Sequence, residues 1–383
     1  MNQKIKIIHF HNCSGGGVLS VIKNLIAYSD KESFENHIIY TINKKQISNF
    51  IIPEISGAAS QQIFKYSPHW NFYYTCKKLA ALLPADAVLI MHDWLEVAVA
   101  SVYGLQQRII QVLHGDYEYY YDLAVKNKCA IDTFISVADN IAINLKKIIP
   151  ERKADIFYLR FPIPDISLKI FDTPSKLKIL FAGRLTADKG YDKLPLIDAE
   201  LTKQSIEVEW HIAGKNGDQN IKWGSENNVT IYGEIVNDKL LGLMKQMNIL
   251  ILPSIAEGMP VVVIEAMKTG LICICNNING GIQEMISDTT GYLVDGNNIS
   301  EYVSIILNLN ANKNLLEKIG GAASIKSNNL FDPYVNTRMF EAHFIQKHFK
   351  EKIKREKVYG SLLDEPWIPN FITEALRKFS SEK

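Results

Sequence analysis

Several signals that would place a chain quickly are missing from this one. No stretch approaches the roughly 18 consecutive apolar residues that a membrane-spanning helix needs. The opening residues Met1-Asn2-Gln3-Lys4 run straight into an apolar segment without a signal-peptide pattern. There is almost no net charge: 42 Lys and Arg against 41 Asp and Glu leave +1. So balanced a chain has no global field to attract nucleic acid, and none is expected as a partner. The five cysteines (Cys13, Cys76, Cys129, Cys273 and Cys275) are odd in number and scattered, which excludes an evident disulfide framework and a short-spaced zinc quartet. Cys273 and Cys275 alternate with Ile272 and Ile274, the pattern of one face of a buried strand. Repeats of fixed short period and low-complexity tracts are also missing. The expectation is a reduced, cytoplasmic, globular protein, with peripheral contact at the inner membrane left open.

What is present is apolar mass, 47% of 383 residues, enough for two large cores. Short apolar runs alternate with helix-period segments from end to end. Ile5–Phe10, His37–Ile42, Ala87–Met91, Arg108–Leu113, Thr133–Val137 and Asp155–Leu159 read as strands. Val18–Tyr28 and Phe72–Leu83 read as helices between them. Residues 160–175, with three prolines and no clean period, read as a linker. A second series follows, with strands at Leu177–Phe181, Val208–Ala213, Val229–Tyr232, Ile249–Leu252 and Leu271–Cys275. The fold class is therefore α/β: two Rossmann-like, doubly wound domains facing across a cleft. The expected boundaries are 1–165, 166–335 and a C-terminal helix and tail, 336–383, packing back toward the first domain. Pro333–Phe349 reads as an amphipathic helix. The tail opens with K-E-K-I-K-R-E-K and later carries Trp367, Ile368, Phe371, Ile372 and Leu376.

In doubly wound sheets ligands bind beyond the carboxyl ends of the strands, so the loops that follow strands deserve scrutiny. H-N-C-S-G-G-G-V-L-S (11–20) follows the first strand and opens a helix. Its glycines let backbone N–H groups approach a ligand, or make a tight turn. It is not G-x-G-x-x-G, which disfavours a nicotinamide dehydrogenase. F-A-G-R-L-T-A-D-K-G-Y-D (181–192) places Arg184 and Lys189 near a strand end and the next helix start, where cations suit a diphosphate or are merely solvated. S-I-A-E-G-M-P-V-V-V-I-E (254–265) puts Glu257 before a helix that Pro260 opens in its first turn, and Glu265 inside that helix. Acids in such places accept paired hydroxyls; Glu257 also suits the helix dipole. N-G-G-I-Q-E-M-I (279–286) and T-G-Y-L-V-D (290–295) are by themselves turns. Among histidines, His114 in V-L-H-G-D-Y follows a strand, as do His92 and His11. Asp116 either orients His114 or caps the next helix. The aromatic stretches 66–74 and 116–122 read as packed helix faces with exposed tyrosine rims, or as a sugar or lipid-headgroup site.

The order of these motifs resembles the retaining glycosyltransferases of family 4, which have the GT-B fold. G-G-G-V, G-R-L-x-x-x-K-G, E-G-M-P-V-V-V-I-E, G-G-I-Q-E and G-Y-L-V follow one another at the family's spacing. The strand L-I-C-I-C departs from it, lacking the frequent Thr-Pro entry. The resemblance implies a nucleotide-sugar donor, UDP- or GDP-linked, and a glycan or lipid-linked glycan acceptor in bacterial surface polysaccharide assembly. It implies that Arg184 and Lys189 neutralise the diphosphate and that Glu265 accepts the ribose hydroxyls. Glu257 then meets the donor sugar, with backbone contacts from Gly258 and Met259, and Gly16 and Gly17 touch phosphate or sugar from the other domain. His114 matches the histidine near the reacting centre. No Asp-x-Asp pair occurs, so neither a metal nor a cofactor is expected; fixed cations and helix N-termini would stabilise the leaving diphosphate. Retention in this family is described as front-face attack in which the leaving phosphate helps to deprotonate the acceptor. A non-catalytic nucleotide-sugar-binding scaffold and a GT-B epimerase are the alternatives.

Overall fold

The computed structural model describes residues 3–13, 17–44, 52–215, 223, 228–345 and 362–381. The chain forms two compact units, Met1–Pro162 with Pro333–Lys383, and Ile163–Asp332. The chain thus passes between units at Pro162 and Asp332, three residues before each expected boundary, and the tail belongs to the first unit.

Unit 1 contains β1 (Ile5–His11), α1 (Gly17–Tyr28), β2 (Phe34–Asn43), β3 (Ser60–Tyr66), α2 (Phe72–Ala80), β4 (Val88–Met91) and α3 (Trp94–Tyr103). It continues with β5 (Arg108–Leu113), α4 (Glu118–Asn127), β6 (Thr133–Ser136), α5 (Asp139–Ile148) and β7 (Ile156–Tyr158). Unit 2 contains β8 (Leu177–Ala182), α6 (Leu194–Lys203), β9 (Val208–Ala213), β10 (Val229–Gly233), α7 (Asn237–Met244), β11 (Ile249–Leu252) and α8 (Val261–Thr269). Next come β12 (Ile272–Asn276), α9 (Gly281–Met285), β13 (Gly291–Val294), α10 (Ile299–Ala311) and α11 (Asn314–Leu330). The chain then returns to unit 1 with α12 (Pro333–Ile345) and α13 (Asn370–Ser381).

Both sheets are parallel. Among the described residues unit 1 has seven strands in the order β3-β2-β1-β4-β5-β6-β7, and unit 2 six in the order β10-β9-β8-β11-β12-β13. Each sheet therefore reverses its winding once, between β1 and β4 in unit 1 and between β8 and β11 in unit 2. At such a reversal the loops leaving two neighbouring strands diverge and open a crevice. The central strands V-L-I-M, I-L-I-L and I-C-I-C are buried along their whole length, which is why they read as continuous apolar runs instead of alternating ones. Cys273 and Cys275 are core residues of β12, and burial pushes both thiols up from their usual range.

Two strands escaped the sequence reading. β3, S-Q-Q-I-F-K-Y, pairs only with β2 at the sheet edge, and its polar residues hide the period. β13, G-Y-L-V, is short and lies within a motif that reads as a turn. The linker 160–175 has no helix or strand, as its prolines predict. It is tied down on unit 2, where the buried Lys268 Nζ donates to Ile163 O at 2.8 Å. Among the described residues no helix is long and apolar enough to cross a membrane.

Candidate functional site

The winding reversal of unit 2 gathers the motif loops. After β8 the chain runs through Gly183 and Arg184 into a short 3-10 turn, Ala187–Lys189, and turns at Gly190 with φ +72°. A Cβ at Gly190 would lie 2.2 Å from Pro253 O, so only glycine lets this loop lie against the one that follows β11. Ile255 N donates to Asp188 O at 3.0 Å, joining the same two loops. A third loop enters after β12: the buried Asn276 donates through Nδ2 to Pro253 O at 3.1 Å and Ser254 O at 2.9 Å. The turn before α9 is bonded back in the same way, Gly281 N donating to Gly258 O at 2.9 Å. A Cβ on Gly281 would meet Met259 Sδ at 2.4 Å. Three loops, those after β8, β11 and β12, thus form one hydrogen-bonded cluster at the carboxyl edge of the sheet.

Within this cluster Lys189 Nζ lies 2.7 Å from Glu257 Oε1, and the two side chains are only 17% and 12% exposed. A pair so largely withdrawn from water is held by its surroundings, and removing one partner strands the other's charge. Arg184, from the same loop as Lys189, is 62% exposed and pairs with Asp188 at 2.7 Å. The cluster therefore presents a sheltered cation with its carboxylate and an exposed, ion-paired cation at the rim.

Glu265 is separate from that pair. Pro260 is the residue before the helix, its N-cap, one position earlier than the first-turn place expected. The V-V-V-I stretch is β-branched and a poor helix former in isolation, but burial of Val263 and Ile264 holds it in α8. On this helix Glu265 is almost completely buried, and its Oε1 accepts from Asn237 Nδ2 of α7 at 3.1 Å. Burial raises its carboxyl to about 7, with the Asn237 bond opposing that shift. Near neutrality it is poised between an acid that donates and a carboxylate that accepts hydroxyls.

The winding reversal of unit 1 is built from different chemistry. His11 ends β1, and His92 and His114 follow β4 and β5. His92 Nδ1 lies 2.8 Å from His114 Nε2, and the His114 ring stacks on Phe161 with centroids 5.8 Å apart. Burial lowers all of them: His9 and His11 to about 4, His114 to about 3, and His92 well below its usual value. At neutral pH they are uncharged, so in the His92–His114 contact one ring N–H donates to the other ring's lone pair. Asp93 caps α3 in a capping box with Glu96, whose Oε1 accepts from His92 N at 3.3 Å and Asp93 N at 2.8 Å. Burial raises Glu96 to about 8, with Asp93 adding to it. The other face of Asp93 takes the Asn12 amide and the Tyr119 hydroxyl.

These geometries sort the expected residues. Lys189 and Glu257 are brought together, Arg184 stands on the same loop, and Glu265 turns to α7. Gly258 gives its carbonyl to Gly281, and the Met259 side chain is buried against that glycine. Gly17 opens α1, while Gly16 lies outside the described residues. Asp116 does neither of the things expected of it. It accepts from Tyr121 and Asn140 at 2.5 and 2.9 Å, and the N-cap of α4 is Tyr117, which makes no side-chain cap bond. The orienting partner of His114 is His92. Sequence reasoning passed over Asp188, Asn237, Asn276 and Glu96; only the last carries a local signal, the D-x-x-E capping pattern before an apolar run. For the 66–74 aromatics it left a packed helix face and a ligand-lining role both open. Tyr66, Trp70 and Phe72, with Trp94, line a cavity of about 550 Å³ in unit 1, with Asp364 and Arg377 on its polar side.

Two parallel, doubly wound units define the fold as GT-B. Residues 166–325, all within unit 2, match the family described as glycosyl transferases group 1. The chain is 25% identical over 246 residues to an Escherichia coli UDP-Gal:alpha-D-GlcNAc-diphosphoundecaprenol alpha-1,3-galactosyltransferase, over 61% of this chain and 58% of that protein. It is 25% identical over 218 residues to a D-inositol 3-phosphate glycosyltransferase of Paenarthrobacter aurescens, over 51% of this chain and 53% of that one. The chain thus spans a little over half the length of these curated relatives. Among solved structures, Anabaena HepE in complex with UDP-glucose superposes with a TM-score of 0.73 at 15% identity, covering 88% of this chain and 98% of that one.

Proposed function

We propose that the protein is a retaining, metal-independent glycosyltransferase that moves a sugar from a nucleotide-sugar to a glycan or lipid-linked glycan acceptor. Its setting is bacterial surface polysaccharide assembly on the cytoplasmic side. The observation that carries this reading is the sheltered Lys189–Glu257 pair at the winding reversal of unit 2, with Arg184 on the same loop, inside the segment that matches the family. Breaking an anomeric C–O bond leaves a nucleoside diphosphate with an additional negative charge, and fixed cations aimed at it lower the barrier. Lys189 and Arg184 supply that charge in place of a divalent metal. Glu257, already anchored by Lys189, accepts sugar hydroxyls, with Gly258 and Met259 beside it. Glu265 takes the ribose hydroxyls as a carboxylate. In unit 1, Gly16 and Gly17 serve the phosphate or sugar, and neutral His114, set by His92, lies near the reacting centre. Relatives named for UDP-sugar substrates favour a uridine donor over a guanosine one, and the Escherichia coli relative's diphosphoundecaprenol substrate favours a lipid-linked acceptor.

The test is a panel of UDP- and GDP-sugars screened for thermal shift on the full chain, since a ligand of the native state alone raises apparent stability. Release of nucleoside diphosphate is then followed with and without chelator. A raised Tm with one donor, and turnover that chelator leaves unchanged, support the reading. No donor shift overturns it, and strict metal dependence overturns the mechanism. Binding without turnover in the presence of lipid-linked acceptors points to the scaffold alternative.

A further inference from the structure

The C-terminal helix α13 is mounted inside out. Its sequence, N-F-I-T-E-A-L-R-K-F-S-S, puts Phe371, Ile372, Ala375, Leu376 and Phe379 on one side at 3.6 residues per turn, and Thr373 and Arg377 on the other. A surface helix ordinarily turns its apolar stripe to the core. Here the polar side faces inward: Thr373 is fully buried, while Phe371 is 73% and Phe379 65% exposed, and Trp367, just before the helix, 75%.

The orientation is fastened by hydrogen bonds. Arg377 donates to Trp70 O and to Asp364 Oδ2, both at 2.6 Å, and Asp364 Oδ1 accepts from Phe72 N at 2.7 Å. Asn71 N donates to Asn370 Oδ1 at 2.8 Å, and Asn71 Nδ2 to Leu363 O at 3.0 Å and Glu365 O at 3.1 Å. Thr373 Oγ1 donates to Leu363 O at 2.8 Å. Rolling the helix to hide its apolar side would break these bonds and turn Thr373 and Arg377 out to solvent.

The charge beside this face is positive. Lys44 lies over the Trp70 ring, 4.8 Å from its centroid, and attracts Glu374 of the helix. Lys78 lies 5.6 Å from the Tyr74 ring centre, which meets Trp70 edge-on, and Lys77 beside it is exposed. Two acids of the region are offset, Asp364 by Arg377 and Glu374 by Lys378, and Glu365 stands just before the helix. In sequence the helix follows Q-K-H-F-K-E-K-I-K-R-E-K (346–357), with six Lys and Arg against two Glu.

We infer that this apolar, cation-flanked face of α13 docks unit 1 on an anionic bilayer surface. Aromatic and aliphatic side chains enter the headgroup boundary, and the flanking lysines meet lipid phosphates. Twelve residues, about 18 Å of helix, cannot span a bilayer but can lie in its surface. A second copy of this chain fits less well, since it would set like-charged borders against each other. The inference goes beyond the transfer reaction and needs no donor or acceptor to test.

The experiment is flotation of the full chain with vesicles of phosphatidylglycerol or of phosphatidylcholine, at low and high salt. The wild type and the variant W367S/F371S are compared. The wild type is expected to float with the anionic vesicles, to release in high salt, and to shift tryptophan emission to the blue. The variant is expected to lose at least about tenfold in partitioning while its Tm is kept, because the replaced groups face outward. A wild type that stays with the soluble fraction overturns the inference, as does a variant that floats equally well or binding indifferent to lipid charge and salt. A wild-type dimer in the absence of lipid that the variant converts to monomer assigns the face to a second copy instead, and also overturns it. A failure here leaves donor binding and turnover untouched, and a failure of the donor screen leaves the flotation result standing.

Discussion

The carboxyl edges of the two sheets share a winding pattern and differ in electrostatics. In unit 2 the loops at the reversal carry ionic pairs, Lys189 with Glu257 and Arg184 with Asp188. In unit 1 they carry desolvated, neutral groups, the His92–His114 contact and a Glu96 raised to about 8, with Asp93 and Asp116 bonded to amide and tyrosine donors in place of cations. A doubly wound sheet therefore decides where loops converge, and the residues in those loops decide what the convergence can do. An ionic edge suits a diphosphate, whose charge must be met. A neutral edge suits an acceptor hydroxyl, which needs orientation more than charge.

The largest expected effect lies on the ionic side. Lys189→Ala and Glu257→Ala should each lower sugar transfer by about 10²–10³-fold with circular dichroism unchanged. Retained activity in either variant removes the role assigned to that residue. Next comes acid lability concentrated in unit 1, which holds four of the burial-lowered histidines at one sheet edge, while unit 2 has His211. His9, His11, His92 and His114 have lowered values, so between about pH 6.5 and 4 the unfolded chain binds protons that the native one refuses, and stability falls as pH falls. Glu96 acts in the opposite direction, since the native state keeps its proton above the usual carboxylate range, but it is one group against four. Amide exchange measured at pH 5 against pH 7 should show unit 1 losing protection by at least about tenfold, and unit 2 much less. Equal loss in both units erases the contrast.

A smaller effect distinguishes Glu265 from its ionic neighbours. With its carboxyl at about 7, the ionised form grows as pH rises through neutrality. If that form binds ribose, donor affinity should improve up to about tenfold between pH 6 and 8, and Glu265→Gln should flatten the profile. A calorimetric titration series that is flat in the wild type excludes the role. The smallest effect belongs to Arg184, exposed and weakly held. Arg184→Ala should raise donor KM by a few-fold, in keeping with the modest worth of exposed ion pairs, and leave Tm unchanged. A loss as large as that for Lys189 would mean that the rim cation closes onto the diphosphate.

Much of this architecture was legible in the residues. β5, β9 and β11 have the ends that their apolar runs indicate, and the motif loops fall after β8, β11 and β12. β3 was not legible, because an edge strand buries too little of itself to impose a period. Asp116 misled because a carboxylate two residues after a histidine looks like its orienter. The chain direction there carries it to Tyr121 and Asn140 instead. The aromatic cavity and the outward-turned stripe of α13 depend on bonds between residues 70–72 and 363–377, which no window of sequence contains.

The sequence by itself determined the number and type of the sheet domains, the loops that carry chemistry, and the residue types in them. These follow from periods of two and 3.6 residues and from glycine and proline at turns, all local properties of the chain. Only the tertiary structure decided that Lys189 meets Glu257, 68 residues away. It likewise decided that His114 leans on His92 instead of Asp116, and that α13 shows its apolar side. Pairing and burial depend on which distant segments share a desolvated space, and that is fixed when the whole core packs.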